Sequence, residues 1–596
     1  MRGSTDLPMN RKQRRAGRMQ SREGAGASGP SQQSARAEAG RLFGQAVWHQ
    51  HHGKPNEAAK LYKQVLELEP DHAEASNNLG CLLLAQGKHA AASAYFERAL
   101  MLLPQLFDDF DSVAAMLLAV NPALGEGVKR SASAWPQRLS TRDMLGTSDF
   151  AAICADALLR RVLESTTVRD VGLERLLTSF RLEFLRAAAD GAHAGGFADE
   201  VLEFCGALAK QCFINEYIFA ATPEEAEQAQ RLAQMLVDAL ARDSEVPPLL
   251  PSAVAMYFPL HSLPNSPALL ERAWPAALAD LLRQQVREPR EEAQYRELIP
   301  RLTPIEDDVS KQVRGQYEEN PYPRWVHAAL AGEPIALDEH LRNQFPSAPF
   351  CPLGNPDGID ILVAGCGTGR HPIEVAHKYK AARVLAVDRS LSSLCYAKRK
   401  TPAAATNKIE YGQADILKLE SIGRSFDLVD ASGVLHHLSD VKAGWRVLLK
   451  LLRPGGFMRV GLYSEVARRG IIAARTFARE RGYYPTADEI RRCRQDLLDS
   501  PLKDVARAGD FFSTSDCRDL LFHVQEHRLT IPEIKSFIAE NGLMFIGFEF
   551  APRIMQYYRD LLGGDRFLRD LDRWHRLETE KPDTFAGMYQ FWLQKK

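Results

Sequence analysis

The chain has 596 residues, of which 45% are apolar, and its formal net charge is −1. This length predicts about two to four domains, and the apolar content is enough for ordinary hydrophobic cores. The near-neutral charge gives no reason to expect nucleic acid or a membrane surface as the main partner, because either one favours a strongly basic face.

Cysteine usage and hydropathy together predict the compartment. The nine cysteines are scattered and include no C-x-x-C pair, so we expect free thiols in a reducing cytoplasm and no structural zinc site. No uninterrupted apolar stretch reaches the roughly 18 residues that a membrane span needs. Because the N-terminus also lacks the apolar segment of a signal peptide, we expect a cytoplasmic protein without a membrane span.

Residues 1–36 are predicted to be a disordered basic tail. Lys and Arg outnumber the acidic residues there, and Gly, Ser, Gln and Ala make up most of the rest, a composition that buries little apolar surface. It favours a solvated extension over a segment that contacts RNA or anionic lipid.

Residues 37–106 contain a repeat. Four positions of one copy are matched 34 residues later by residues of related type, namely Ala58, Tyr62, Val65 and Pro70 by Ala92, Phe96, Ala99 and Pro104. The pattern resembles the tetratricopeptide repeat, in which small residues let paired helices approach and an aromatic ring fills the next gap. This resemblance implies a groove for a peptide or partner protein, with dimerisation or packing as the alternative. Because about three repeats are usually needed to bury their own faces, we expect the next helices to cap them.

The following two segments are less informative. Residues 107–300 are predicted to form an all-α middle domain, because apolar residues recur at spacings of three and four. Residues 301–355 are predicted to be a linker or lid. Within it, Gln316–Trp325 combines three aromatic residues, an arginine and two acids with two prolines, which predicts an extended segment. We interpret it as an acceptor wall that includes Tyr322 and Trp325, or as interdomain packing.

Residues 356–596 begin with a strand, a glycine turn, a helix and a second strand that ends in an acid. The apolar runs Ile361–Ala364 and Val384–Val387 flank the turn Gly365–Gly369, and Asp388 follows the second run. Glycines let the backbone turn tightly against a ligand, and an acid at a strand tip can accept from both ribose hydroxyls. The pattern predicts a nucleoside site. The third glycine comes one residue too early for the dinucleotide fingerprint.

Further strands at 409–415, 426–430 and 456–462 alternate with helical patterns, which predicts a parallel sheet with helices on both faces. These motifs, in this order, resemble the class I S-adenosylmethionine-dependent methyltransferases over about residues 355–464, with later elements at 531–550 and 585–593. The expected fold is therefore multidomain α and α/β. Tetratricopeptide helical repeats and an all-α middle domain precede a Rossmann-like class I methyltransferase domain with a helical insertion at 465–530.

The resemblance implies S-adenosylmethionine as the cofactor and assigns its contacts. These are Gly365, Cys366, Gly367, Gly369, Asp388, Arg389, Asp415, Ile416 and Ser432. One departure is Val363, which stands where the family often has an acid. We expect the methionine end of the cofactor to be shaped instead by a backbone carbonyl, by Arg370–His371 or by an acid of Glu318–Glu319.

Methyl transfer depends chiefly on in-line positioning, and a general base is needed only for a protonated acceptor. His436 and His437 follow the fourth strand and are the candidate catalytic bases, with capping or packing as the alternative. The family's adenine N-methyltransferases carry Asn/Asp-Pro-Pro-Tyr after strand four, and its cytosine C5 enzymes use a Pro-Cys nucleophile. Asp430–Gly433 stands at this position, so neither nucleic-acid base reaction is expected.

The insertion is rich in arginine, which usually marks a solvated helix face. Its second half places His523 and Glu526 three residues apart, a spacing that fits one helix face. The predicted acceptor-binding residues are Tyr322, Trp325, Tyr463, His523 and Glu526. No metal is predicted at His523, Glu526 and His527, because methyl transfer needs none and no partner cluster of His or Cys is evident.

The leading hypothesis is a methyltransferase whose repeats recruit the acceptor, with a protein as the favoured acceptor. A second hypothesis is a small-molecule methyltransferase whose repeats form a homo-oligomer. A third is a non-catalytic scaffold that binds the cofactor.

Overall fold

The computed structural model describes residues 30–103, 110–146, 150–191, 198–319, 321–328, 330, 332–354 and 358–596. Its contacts divide the chain into two compact units. The first comprises residues 1–290, 325–332 and 512–514, and the second comprises 291–324, 333–511 and 515–596. The predicted basic tail lies mostly outside the described residues.

The first unit is helical. Its helices are Pro30–His51, Pro55–Leu68, Ala73–Ala85, His89–Leu102, Phe110–Val120, Pro122–Ala134, Thr141–Leu145, Phe150–Cys154, Ala157–Ser165, Val171–Ala189, Asp199–Ile214, Pro223–Ala241, Leu249–Ala255 and Ala276–Leu282. A further helix, Glu288–Tyr295, spans the division between the units. Across the described part of the chain, no helix combines the length and apolarity that crossing a membrane requires.

The repeat residues build the packing between neighbouring helices of the first unit. A Cβ atom at Gly80 would lie only 2.7 Å from the ring of Phe96, so the close approach of these two helices requires a glycine. The hydroxyl of Tyr62 donates to Gln50 at 2.7 Å and accepts from Asn78 at 3.1 Å. The helix Ala157–Ser165 packs on the second copy, as expected for a short repeat array that later helices cap.

A buried polar network holds the middle helices. The guanidinium of Arg181 donates to Glu225 at 2.7 Å, and the hydroxyl of Tyr257 donates to the same carboxylate at 2.6 Å. Arg181 and Glu225 expose no more than 2% of their side chains. The charges of Arg181 and Glu225 are therefore paired inside the core, although Nε of Arg181 has no hydrogen-bond partner among the described residues.

The second unit contains a seven-stranded sheet in the order β3-β2-β1-β4-β5-β7-β6. The strands are β1 Ile359–Ala364, β2 Ala382–Asp388, β3 Ile409–Gln413, β4 Phe426–Ser432, β5 Leu452–Leu462, β6 Leu543–Phe548 and β7 Tyr589–Lys595. Strands β1 to β5 are parallel, and β7 is antiparallel to both β5 and β6. This sheet, together with the helical first unit, confirms the predicted fold class.

Helices cover the sheet and form the insertion. Outside the insertion they are Asp308–Glu319, Leu337–Gln344, Arg370–Lys378, Leu391–Lys400, Val441–Leu451, Ile531–Glu540, Pro552–Leu562 and Leu571–Glu580. The insertion holds Arg469–Glu480, Ala487–Leu498 and Thr514–Phe522. The core between sheet and helices includes Trp445, whose ring stacks on Phe537 with centroids 4.0 Å apart.

Two sequence expectations differ from the structure in detail. Strand β5 begins at Leu452 instead of Gly456. Leu452 already pairs with Phe426 of β4, and the pairing resumes at Phe457 after a shift in register. The segment from Gln316 is helical as far as Glu319, since the proline that disfavours a helix comes only at Pro321.

Candidate active site

A cavity of about 430 Å³ opens within the second unit at the carboxyl edge of β1, β2 and β4. Parallel strands place the residues that follow them at one edge, where ligands of such sheets bind. Seven of the predicted cofactor residues line the cavity, namely Gly365, Cys366, Gly367, Asp388, Arg389, Ile416 and Ser432.

The glycine turn has the backbone that its sequence requires. Gly365, Gly367 and Gly369 have φ angles of +72°, +51° and +86°, a region that side chains other than hydrogen disfavour. A Cβ atom at Gly367 would lie 2.7 Å from the main-chain oxygen of Tyr322. The turn therefore keeps its backbone open to the cavity while another segment packs directly on it.

Asp388 is fixed by the same turn. Its carboxylate accepts from the main-chain N–H of Gly367 at 2.9 Å and from that of Ser390 at 2.8 Å. Burial raises the pKa of the Asp388 carboxyl, although these hydrogen bonds oppose the shift. The carboxylate is thus held rigidly at the cavity wall, where a ribose can reach it.

Gly369 and Asp415 are not among the described residues that line the cavity. Gly369 precedes the helix Arg370–Lys378 as its N-terminal cap residue. Asp415 caps the short helix Ile416–Ile422 by accepting from the N–H of Leu417 at 3.1 Å. Its neighbour Ala414 reaches the cavity instead.

The far side of the cofactor region is lined by Arg370, His371 and Glu374. Arg370 donates to Glu374 at 3.0 Å, and His371 pairs with the buried Asp430 at 2.8 Å. Burial would raise the pKa of the Asp430 carboxyl, but His371 and Arg459 hold it well below its usual range. Glu374 had no sequence signal beyond its place one turn after Arg370.

The two acids of Glu318–Glu319 are engaged elsewhere. Glu318 accepts from the main chain of Leu391 and the hydroxyl of Ser392 at 2.5 and 2.7 Å, which caps the helix Leu391–Lys400. Glu319 pairs with Arg518 at 2.9 Å. Neither Glu318 nor Glu319 is among the described residues that line the cavity.

The segment after the helix Asp308–Glu319 packs on the glycine turn. Tyr322 and Pro323 line the cavity, and the hydroxyl of Thr368 donates to the carbonyl of Pro323. Trp325 is buried, and its contacts assign it to the first unit. Of the two predicted wall residues in this segment, the cavity therefore contains Tyr322.

The two candidate bases differ in environment. His437 lines the cavity, and its Nδ1–H donates to the carbonyl of Gln525 at 2.9 Å. His436 does not line it, and no described residue hydrogen-bonds to its ring nitrogens. The His436 ring stacks on Tyr463 with centroids 3.9 Å apart. Burial lowers the pKa of both imidazoles, so both are neutral near pH 7.

The insertion separates His523 from Glu526. The helix ends at Phe522, so the two do not share a helix face. His523 stacks on His437 with centroids 3.8 Å apart. Glu526 turns away and pairs with arginines at 2.8 to 3.4 Å, namely Arg468, Arg475 and Arg528.

Two further cavity residues, Tyr317 and Asp519, were not among the predicted site residues, although Tyr317 lies in the segment Gln316–Trp325 that was interpreted as an acceptor wall. Tyr317 donates its hydroxyl to the carboxylate of Asp519 at 2.6 Å, and both line the cavity. Asp519 lies in the helix Thr514–Phe522 and His523 directly follows it, four residues later, a spacing that could have indicated that the two lie close together. Tyr317 belongs to a distant segment, and no local pattern relates it to Asp519.

Comparison with known proteins agrees with this architecture. Residues 361–456 match the methyltransferase domain family, and residues 49–106 match the tetratricopeptide repeat family. Both matches fall on the elements from which the sequence resemblance was drawn.

Individual relatives cover the chain in part. An uncharacterized protein of Synechococcus sp. is 29% identical over 48% of this chain and 72% of its own length. A ubiquinone biosynthesis O-methyltransferase of Rhizobium rhizogenes is 28% identical over 26% of this chain and 65% of its own length, just under two thirds. The solved structure of PKMT2 from Rickettsia typhi in complex with AdoHcy has a TM-score of 0.35 at 17% identity and covers 44% of this chain and 53% of its own.

Proposed function

We propose that this chain, a class I S-adenosylmethionine-dependent methyltransferase with N-terminal tetratricopeptide repeats, methylates an acceptor that its repeats recruit, and that this acceptor is a protein. One observation carries the proposal. The same cavity that exposes the glycine turn and Asp388 continues to a wall that includes Tyr317, Tyr322 and Tyr463. A nucleoside site and an aromatic acceptor site thus share one space, as a transfer reaction requires.

The residues present fit the cofactor. Gly367, Asp388, Ala414 and Ile416 all line one cavity at the carboxyl edge of the sheet. There Asp388 would accept from the ribose hydroxyls, and Ala414 and Ile416 would contact the adenine. When bound, S-adenosylmethionine supplies a methyl group on a positively charged sulfur. Glu374, which pairs with Arg370 at 3.0 Å, also lines the cavity and would offer a carboxylate to the cationic methionine end, since Val363 stands where the family often has an acid.

The repeats support a protein acceptor. Their helices bury the small and aromatic positions of the repeat against each other, while Trp48 and Met101 leave 51% and 57% of their surface exposed. An array of helical repeats presents an extended surface that suits contact with another chain, and these two side chains lie on the repeat helices. The acceptor is therefore proposed to bind through the repeats and to present one group to the cavity.

Transfer of a labelled methyl group to proteins of a cell extract tests this function. With the full chain and labelled S-adenosylmethionine, we expect label in the acid-insoluble protein fraction. Label in small molecules alone would favour a small-molecule acceptor, and no transfer to any component would leave only a scaffold.

The test variant is Asp388→Ala. Its matched control is Asp308→Ala, because the Asp308 side chain is 90% exposed and lies outside the cavity lining. Removing the charged ribose contact should cost about 1.5–3 kcal/mol of binding free energy for the cofactor product S-adenosylhomocysteine, measured by isothermal titration. The Asp308 variant should bind as tightly as the wild type, and unchanged affinity of the Asp388 variant would contradict the site assignment.

A further inference from the structure

No lysine or arginine of the described residues forms an ion pair with one buried carboxylate of the cavity wall, that of Asp519. Asp519 is 4% exposed, and the hydroxyl of Tyr317 donates to it at 2.6 Å. The nearest Lys, Arg or His nitrogen of the described residues is Nε2 of His523, at 3.7 Å, and burial lowers the pKa of this imidazole, so it carries no charge near pH 7. A carboxylate taken out of water without a cation is costly, so such a group usually serves a ligand or has a counter-charge.

Neither of the neighbouring arginines Arg468 and Arg475 forms an ion pair with the Asp519 carboxylate. Arg475 donates to the main-chain carbonyl of Asp519 at 3.1 Å, while its charge pairs with Glu526 at 3.2 Å. Arg468 pairs with Glu526 as well, at 2.8 Å. The protein therefore supplies cations to Glu526, outside the cavity lining, and leaves the carboxylate that lines the cavity to a ligand.

Aromatic rings surround this carboxylate. Tyr317 lies 5.9 Å from Tyr322 and 6.0 Å from His523, and His437 lies 3.8 Å from His523 and 6.1 Å from Tyr463, all between ring centroids. Burial lowers the pKa of the His437 and His523 imidazoles. It raises the pKa of the phenol groups of Tyr317, Tyr322 and Tyr463. The rings are thus neutral, and electron-rich ring faces attract a cation.

Tyr463 differs from the other two tyrosines. His436 stacks on it at 3.9 Å, and the Arg468 guanidinium lies 3.7 Å from its centroid. Two groups this close must occupy opposite faces of one ring. Tyr463 consequently presents its edge and hydroxyl to the cavity, while Tyr317 and Tyr322 are the rings available for cation contact.

From this arrangement we infer that the acceptor group is an amine, which enters the cavity as an alkylammonium ion held by the Asp519 carboxylate and the rings of Tyr317 and Tyr322. The inference rests on the proposed function. On a protein acceptor, the groups of this class are the lysine side chain and the N-terminal amine. A hydroxyl or carboxyl acceptor would leave the Asp519 charge unpaired.

The reaction requires the ammonium to lose a proton, because its nitrogen otherwise has no lone pair. Since Nδ1–H of His437 donates to the Gln525 carbonyl, Nε2 carries the lone pair that can accept this proton. The amine nitrogen then forms its bond to the methyl carbon as the sulfur–carbon bond breaks, and the bonding pair stays on sulfur. The net products are the methylated ammonium, the neutral thioether and one proton.

A metal ion is the competing ligand. His437, Asp519 and His523 offer ligand atoms within 4.8 Å of one another. However, the main-chain N–H of Gln525 donates to Nδ1 of His523 at 3.0 Å, which places the ring proton on Nε2. That nitrogen lies 3.7 Å from the Asp519 carboxylate, forms no hydrogen bond with the described residues, and has no lone pair for a metal. The hydrogen bonds therefore favour an organic cation.

Isothermal titration of the full chain, saturated with S-adenosylhomocysteine, tests the inference with n-butylammonium and 1-butanol as probes. We expect butylammonium to bind about tenfold or more tightly than butanol, as for a hydrogen bond to a charged group. Asp519→Asn should remove this preference and leave S-adenosylhomocysteine affinity unchanged. The control Asp504→Asn, at a carboxylate of the same insertion that is 71% exposed, should keep it. Equal binding of both probes, or Asp519-dependent binding of Zn²⁺, would overturn the inference.

A second measurement separates this inference from the proposed function. Proteins labelled in the extract assay are hydrolysed in acid, and we expect the label in N-methylated lysine or in an N-methylated α-amine. Label released as methanol by base, or found on sulfur, would refute an amine acceptor while a protein methyltransferase remained. Absence of protein label would contradict the proposed function, and the butylammonium titration would still decide the cation site.

Discussion

Each unit of the protein buries a carboxylate that accepts a hydrogen bond of 2.6 Å from a tyrosine. In the helical unit, Tyr257 donates to Glu225, and Arg181 completes the group at 2.7 Å. In the sheet unit, Tyr317 donates to Asp519, and the described residues provide no cation. The first group is closed and contributes to the core, whereas the second is incomplete until a ligand arrives. The difference shows how the surroundings of one hydrogen bond distinguish a structural carboxylate from a binding one.

The largest effect is expected from breaking the closed group. Glu225→Gln leaves the Arg181 guanidinium buried without its counter-charge, which should cost about 3–5 kcal/mol of stability. The measurement is urea unfolding of the full chain followed by circular dichroism.

Glu227→Gln is the matched control on the same helix. Glu227 pairs with Arg231 at 3.1 Å, but both side chains are at least 65% exposed, so the loss should stay below about 1 kcal/mol. Equal losses in the two variants would show that the buried group is not closed in solution.

Acid should affect the two units in different pH windows. Burial and Lys378 lower the pKa of His340 in the sheet unit to about 4. Below about pH 6.5 the unfolded chain binds a proton that the folded chain does not, so stability falls as pH drops from about 6.5 to about 4. The slope from this residue should be at most about 1.4 kcal/mol per pH unit.

The contribution of Glu225 to stability is lost in a lower pH range than that of His340. Arg181 and Tyr257 hold the pKa of the Glu225 carboxyl below the ordinary value despite burial, so its contribution is present above about pH 4.3 and is lost as pH falls through the folded pKa. Urea midpoints at pH 7.5 and 5 should therefore decrease first for the sheet unit, and His340→Gln should flatten that decrease. An unchanged slope in the variant would remove His340 as the cause.

The smallest effect is expected at the open group. Asp519→Asn removes a buried charge that has no cation, so stability should change by less than about 1 kcal/mol or should increase. The same urea measurement applies. A loss as large as that of Glu225→Gln would mean that Asp519 has a structural counter-charge and that the two groups are alike.

The sequence predicted what local geometry determines. Gly365, Gly367 and Asp388 lie within about 25 residues of one another in the sequence. The two glycines form the turn because they adopt positive φ angles, and Asp388 reaches the cavity because it ends strand β2. The cavity wall was predicted less well, because the Tyr317–Asp519 contact joins residues 202 positions apart. This contact forms only because the insertion folds back onto the cavity, and the spacing of apolar residues in the sequence does not predict where an insertion folds back.

Residues close in sequence were also separated by structure. His436 and His437 are adjacent, yet a short helical turn, Leu435–His437, directs one ring to Tyr463 and the other to the cavity. Glu526 was grouped with His523 by spacing, but the helix ends before both. These outcomes depend on where a helix stops, and element boundaries are the least reliable part of a sequence prediction.

The contacts of Tyr317 determine which residues an excised methyltransferase domain must include. The Tyr317 carbonyl accepts from Ser390, two residues after Asp388, while its hydroxyl reaches Asp519. A domain excised at residue 356, the predicted start of the methyltransferase domain, would keep the turn and Asp388 and lose this bridge. An engineered fusion should therefore start upstream of the helix Asp308–Glu319, because the portable unit of this enzyme is longer than its recognisable motif.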